Sequence, residues 1–164
     1  MKQAGILPLL LLSSAALAAQ APQQKSAQAD AAAVQGFDRE PRIAVLIGAG
    51  YYPHGSGLAG LRSPSRDVPR LAGELARQGY RVVALEEEEA TRGAVLEALK
   101  SAAAMVEPGK GTVVFFFVGH GYSVQGVNYL AAFDSSAASL AATGLKLATV
   151  AATSLRRVII PRLA

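Results

Sequence analysis

Three stretches of the chain are apolar with hardly a break, and each stops where the chemistry of the sequence changes. Arg42 to Ile47 (RIAVLI) runs into Gly48-Ala49-Gly50, Tyr80 to Leu85 (YRVVAL) into Glu86, and Val113 to Val118 (VVFFFV) into Gly119-His120-Gly121. β-Branched and aromatic residues dominate these runs, and an apolar run without polar alternation reads as a strand covered on both faces. The six apolar residues from Val113 to Val118 therefore predict a central strand of a parallel sheet. Arg157 to Ile160 (RVII) predicts a fourth strand near the end of the chain.

Between the strands the period changes from a run to a stripe. Val68, Leu71, Ala72 and Leu75 fall at i, i+3, i+4 and i+7, one face of a helix that starts between Ser63 and Asp67. Pro69 is tolerable only near that start, because deeper in the helix it removes a backbone donor. Gly79 supplies a C-terminal stop. Thr91 is an N-cap candidate for a second helix from Arg92 to about Val106, with the stripe Val95, Leu99, Ala102, Ala103 and Val106. Tyr122 to Leu130 predicts a hairpin turning at Gln125-Gly126. Ser139 to Leu155 is Ala-rich and predicts a helix, although Gly144 and several threonines oppose it.

Strands alternating with helices predict an α/β fold, a doubly wound and mostly parallel sheet with strand order 2-1-3-4. In such sheets ligands bind outside the carboxyl ends of the strands, at the crevice where the winding reverses. Here that crevice lies between the ends of strands one and three. Both histidines of the chain, His54 and His120, belong to the loops that leave those strands. His120 between two glycines reads either as a chemically active ring with little steric cover or as a turn histidine.

The first 40 residues follow a different logic. Met1 to Ala18 carries Lys2, an apolar run and Ala16-Leu17-Ala18, the three-part layout of a secretory signal peptide. Cleavage after Ala18 and export, to a bacterial periplasm or beyond, are expected. Residues 19–40, rich in Ala and Gln, are expected to be a flexible linker, and residues 41–164 the folded domain.

Composition narrows the chemistry. Hydrophobic residues make up 51% and aromatics 6%, so the core is built mainly from Ala, Val and Leu. The formal charge of +4 comes from scattered arginines without a basic stripe, which argues against nucleic-acid binding. No cysteine is present, so the chain itself offers no disulfide, thiolate ligand or thiol nucleophile. Pro53 stands where a dinucleotide fingerprint needs its third glycine, and no G-x-S-x-G elbow occurs. Two isolated histidines without H-E-x-x-H spacing make no zinc site. Glu86 to Glu89 read as a solvated run favoured by the helix dipole that follows, rather than as a metal cluster. No cofactor is expected.

Four segments in order, RIAVLIGAGYY, LRSPSRDV, VVFFFVGHG and VNYLAAFD, resemble the caspase-like superfamily of cysteine peptidases in its bacterial metacaspase-type branch. The resemblance covers about residues 42–134. It implies an incomplete caspase-like α/β/α sandwich, with His120 as the catalytic base and acid and the Gly121 N–H as an oxyanion donor. It also implies Asp67 at the pocket for a basic P1 side chain of a peptide substrate. From the residues alone, Asp67 reads better as a helix N-cap. The resemblance matches Asp134 to a structural aspartate and leaves His54 without a role. In the family, strand four runs into a D-A-C segment that bears the nucleophile. Here RRVII is followed by Pro161-Arg162-Leu163-Ala164. The expectation is a truncated copy of an exported peptidase, inactive as it stands. The alternative is a pseudoenzyme serving as a binding module.

Overall fold

The computed structural model describes residues 40–107 and 110–153. The signal peptide expected at 1–18, the strand expected at 157–160 and all but the last residue of the linker expected at 19–40 lie outside the described residues. Strands β1 (Arg42–Gly48), β2 (Arg81–Glu86) and β3 (Thr112–Val118) form a parallel sheet in the order β2-β1-β3. Gly48 lies opposite both Glu86 and Val118, so the three strands finish level at one end. Helix α1 (Pro64–Arg77) covers one face and helix α2 (Arg92–Ala104) the other, which makes the α/β/α sandwich.

The strand buried on both sides is β1. Ile43, Val45 and Ile47 join Val95, Leu99 and Ala102 of α2 in one cluster, while Ala44 and Leu46 meet Val68, Leu71, Ala72 and Leu75 of α1 in another. Fully buried Val45, Leu46 and Ile47 each contribute about 1.5–3 kcal/mol by leaving water. On β3 only Val113 and Phe115 are buried and the rest are half-covered. Among the described residues β3 pairs with β1, and the strand predicted for its other side, residues 157–160, lies outside them. An unbroken apolar run reports two apolar faces.

The helix signals hold where they are local. The α1 helix ends in Gly79 with φ +80°, and the N–H groups of Gly79 and Tyr80 close on Ala76 and Leu75. That pairing is a Schellman stop. Pro69 lies inside α1, further in than its missing N–H predicts. It is on the exposed side of the helix. Asp67 is not the N-cap. Ser63 holds that place without a side-chain bond, and Asp67 sits within the first turn, paired with Arg66 at 3.1 Å.

Thr91 caps α2, its hydroxyl accepting the Ala94 N–H at 3.3 Å. Asp134 takes the Arg92 N–H at 2.8 Å, so this aspartate ties the hairpin exit to the helix start. The glutamates have a different part from the one their position before α2 suggests. None falls in the first turn of α2. Glu87 instead adopts φ +49° in a short 3-10 turn and accepts the Tyr51 N–H through its carboxylate at 2.6 Å, joining the exits of β1 and β2.

A second, antiparallel sheet follows: β4 (Gly121–Val124), β5 (Val127–Leu130) and β6 (Leu145–Lys146), in the order β4-β5-β6. Gln125 and Gly126 both have positive φ, as a type I′ hairpin requires. The helix predicted across 139–155 is broken into α3 (Leu140–Thr143), β6 and α4 (Leu147–Thr153). Pairing Leu145 with Leu130 drives Leu145 into the core at 1% exposure, and that burial outweighs the helical preference of the flanking alanines. Among the described residues no helix is long and apolar enough to cross a membrane.

Candidate active site

The exits of β1 and β3 are stitched together before any side chain is considered. The Ala49 N–H donates to the Val118 carbonyl at 2.9 Å, and the Leu61 N–H returns to the Gly50 carbonyl at 2.7 Å. The loop from Tyr51 to Leu61 is thereby folded back over the strand ends. Beneath it Ala49, Tyr52, Ala131 and Leu140 form a small buried cluster, lined by Leu58, Phe117, Tyr122, Val124 and Tyr129.

His120 stands on this cluster. Gly119 allows it, because a Cβ there would lie 2.7 Å from the Phe117 ring and 3.0 Å from the Ala49 carbonyl. The glycine serves close packing of the protein on itself. The imidazole is half-buried rather than bare. It lies between the rings of Tyr52, at 5.6 Å, and Tyr122, at 5.9 Å, both tilted against it.

Its polar atoms are almost fully accounted for. The His120 carbonyl accepts the Ala131 N–H at 2.9 Å. Nε2 is 2.8 Å from the Ala59 carbonyl. A carbonyl oxygen only accepts, so Nε2 carries the proton in that bond. The neutral ring then has its lone pair on Nδ1, which is the atom left to act as a base.

Gly121 opens β4 and is exposed. Hydrogen-bonded and non-bonded pairs alternate along a hairpin. His120 is bonded to Ala131, so Gly121 presents its N–H away from β5. A half-buried imidazole held through Nε2 and an exposed glycine thus adjoin at the end of β3. Asp67 is not joined to them: its one ion pair among the described residues is with Arg66. His54 is exposed and makes no hydrogen bond, ion pair or ring contact within the described residues.

Two members of this arrangement escape the sequence reading. Ala59 contributes only a carbonyl, which every residue has. Tyr52 contributes a hydroxyl that donates towards the carbonyls of Ala49 at 2.9 Å and Ala131 at 3.2 Å, and accepts from the His120 N–H at 3.4 Å. Burial pushes its pKa up, partly offset by the bond from His120, with Tyr122 and Glu87 adding to the rise. The only sequence signal for it is the Tyr51-Tyr52 pair soon after β1, and nothing in that pair says which ring turns inward.

A family model described as the caspase domain, peptidase family C14, matches residues 41–157. A crystal structure of a protein from Geobacter sulfurreducens aligns with a TM-score of 0.58 at 21% identity, over 73% of this chain and 48% of that one. The likeness bears on the fold, and the chain spans about half the length of that structure. A search of curated proteins found no match.

Proposed function

Because the chain belongs to the caspase-domain family of peptidases, we propose that it is the histidine-bearing portion of a caspase-like cysteine endopeptidase, with His120 as its proton shuttle. The observation that carries this reading is the 2.8 Å bond from His120 Nε2 to the Ala59 carbonyl, which leaves Nδ1 as a free base beside the Gly121 N–H.

Each step of thiol-dependent cleavage then has a place for this chain's groups. Nδ1 takes the proton of a cysteine thiol, and the thiolate attacks the scissile carbonyl. The Gly121 N–H stabilises the oxyanion that forms. The imidazolium returns its proton to the departing amine, and the thioester that remains is hydrolysed by a water that the neutral ring deprotonates. Asp67, in the first turn of α1 just after the loop that reaches His120, is the candidate partner for a basic P1 side chain. The charged start, apolar run and Ala16-Leu17-Ala18 of residues 1–18 support work outside the cytoplasm.

These 164 residues contain no cysteine. On their own they supply the base and an oxyanion donor but no nucleophile, and they leave peptide bonds intact. The same fact favours a second reading, a non-catalytic module that holds an extended peptide. One experiment separates the two. The chain is extended with the Asp-Ala-Cys-bearing portion of a caspase-family relative and assayed on fluorogenic peptides with Arg or Lys at P1. Cleavage that His120→Ala abolishes supports the peptidase reading. A folded extended chain that stays inert removes it and leaves the binding module, whose mark is peptide affinity in the 164-residue chain itself.

A further inference from the structure

His120 has three anchors, and two of them are backbone groups. The Ala131 N–H holds its carbonyl and the Ala59 carbonyl holds its ring. The third, at its N–H, is the hydroxyl of Tyr52. That hydroxyl also faces the carbonyls of Ala49, at the exit of β1, and Ala131, at the end of the hairpin. Tyr52 is 6% exposed, so water does not compete for these bonds. Three chain segments that are distant in sequence meet at one oxygen.

We propose that Tyr52 is the positioning residue of this site, its hydroxyl setting where the His120 backbone, and with it the imidazole, stands over the crevice. It deepens the peptidase reading above, on which its consequence for catalysis rests. A phenol hydroxyl has one proton and accepts through its lone pairs. The proton is taken up by the two carbonyls, so the only role left for the oxygen towards His120 is acceptor. The His120 N–H therefore points at Tyr52. At Cα, the N–H and C=O directions together fix where the side chain leaves the backbone. The 3.4 Å separation is long for such a bond, so shifts of the β1 exit pass to His120 through a contact with some play. The tilted ring contact at 5.6 Å limits that play from the side.

The test uses the 164-residue chain and does not depend on activity. Its two histidines give two sets of ring signals by NMR, and His54, with no partner among the described residues, is the internal reference. Tyr52→Phe keeps the aromatic ring and removes only the oxygen. The expected result is hydrogen exchange at the His120 amide faster by about tenfold, with its ring shifting from a single Nε2–H tautomer towards a mixture. His54 should not change and unfolding should remain cooperative. A folded Tyr52→Phe chain with unaltered His120 amide and ring signals overturns the proposal. If that variant does not fold, exchange in the unmodified chain decides. A His120 amide as protected as that of Ala131 supports the proposal, and one exchanging freely overturns it.

In the extended, cysteine-bearing chain, Tyr52→Phe should lower kcat about tenfold and leave KM within twofold. If the NMR coupling holds while the extended chain is inert, the peptidase reading fails and the positioning role stands. If the extended chain is active and kcat ignores the substitution, the positioning role fails and the peptidase reading stands.

Discussion

The chain has two histidines, each in a loop leaving the same end of the same sheet, and the fold treats them in opposite ways. His54 follows β1 in a turn between Pro53 and Gly55, exposed, with no partner among the described residues. His120 follows β3, half-buried between two tyrosines, with a bond on its carbonyl, its N–H and Nε2. Residue type and place in the topology are nearly the same for both. What differs is how much of the ring's freedom has already been removed. A base that must meet a thiol and then a leaving amine works from a fixed position, since orientation supplied in advance need not be found during the reaction. By that measure only His120 is a candidate.

The contrast is sharpest in activity. In the extended chain, His120→Ala should lower kcat/KM by about 10³-fold or more, and His54→Ala should leave it within about twofold. A large effect at His54 in the peptide-cleavage assay would mean that the loop closes over substrate and that the comparison is drawn in the wrong state.

The glycines beside the two rings offer a matched pair. Gly119→Ala would press a methyl into the Phe117 ring and the Ala49 carbonyl, at a cost of about 1–3 kcal/mol in thermal or denaturant unfolding. The His120 ring signals should move with it. Gly55 has φ +87° and open space where a Cβ would stand. Gly55→Ala should cost only about 1 kcal/mol, through backbone conformation alone, with His120 unmoved. Equal effects on the His120 signals would erase the distinction between the two loops.

The smallest effect belongs to Glu86, at the end of β2 beside these loops. Burial, reinforced by Glu87 and Glu89, raises its pKa in the folded state. The folded chain then holds the proton to higher pH than the unfolded chain does. Stability therefore falls as pH rises from the ordinary glutamate range through the raised value. Glu86→Gln should melt slightly higher than the parent above that window and equally below it. A difference that instead grows on acidification would refute the assignment.

Local pattern carried much of the architecture. The two long helices, the three parallel strands and the I′ hairpin at Gln125-Gly126 are legible because each depends on periodicity or backbone preference within a few neighbouring residues. His120 and Gly121 were legible as candidates for the same reason, a glycine-flanked histidine at a strand end. The Ser139–Leu155 segment misled, because the pairing of Leu145 with Leu130 is a non-local contact that the alanines around it do not announce.

What the linear order alone could settle was therefore which segments become strand or helix, that the resulting sheet is parallel, and that these 164 residues carry no thiol. Which tyrosine turns inward and which carbonyl holds the imidazole were settled only by folding. The partners of the His120 ring nitrogen and backbone N–H lie 61 and 68 residues away in sequence, and their contribution is a main-chain oxygen and one hydroxyl. A main-chain oxygen is the same at every residue, so no pattern of side chains can mark it before the chain has brought it into place.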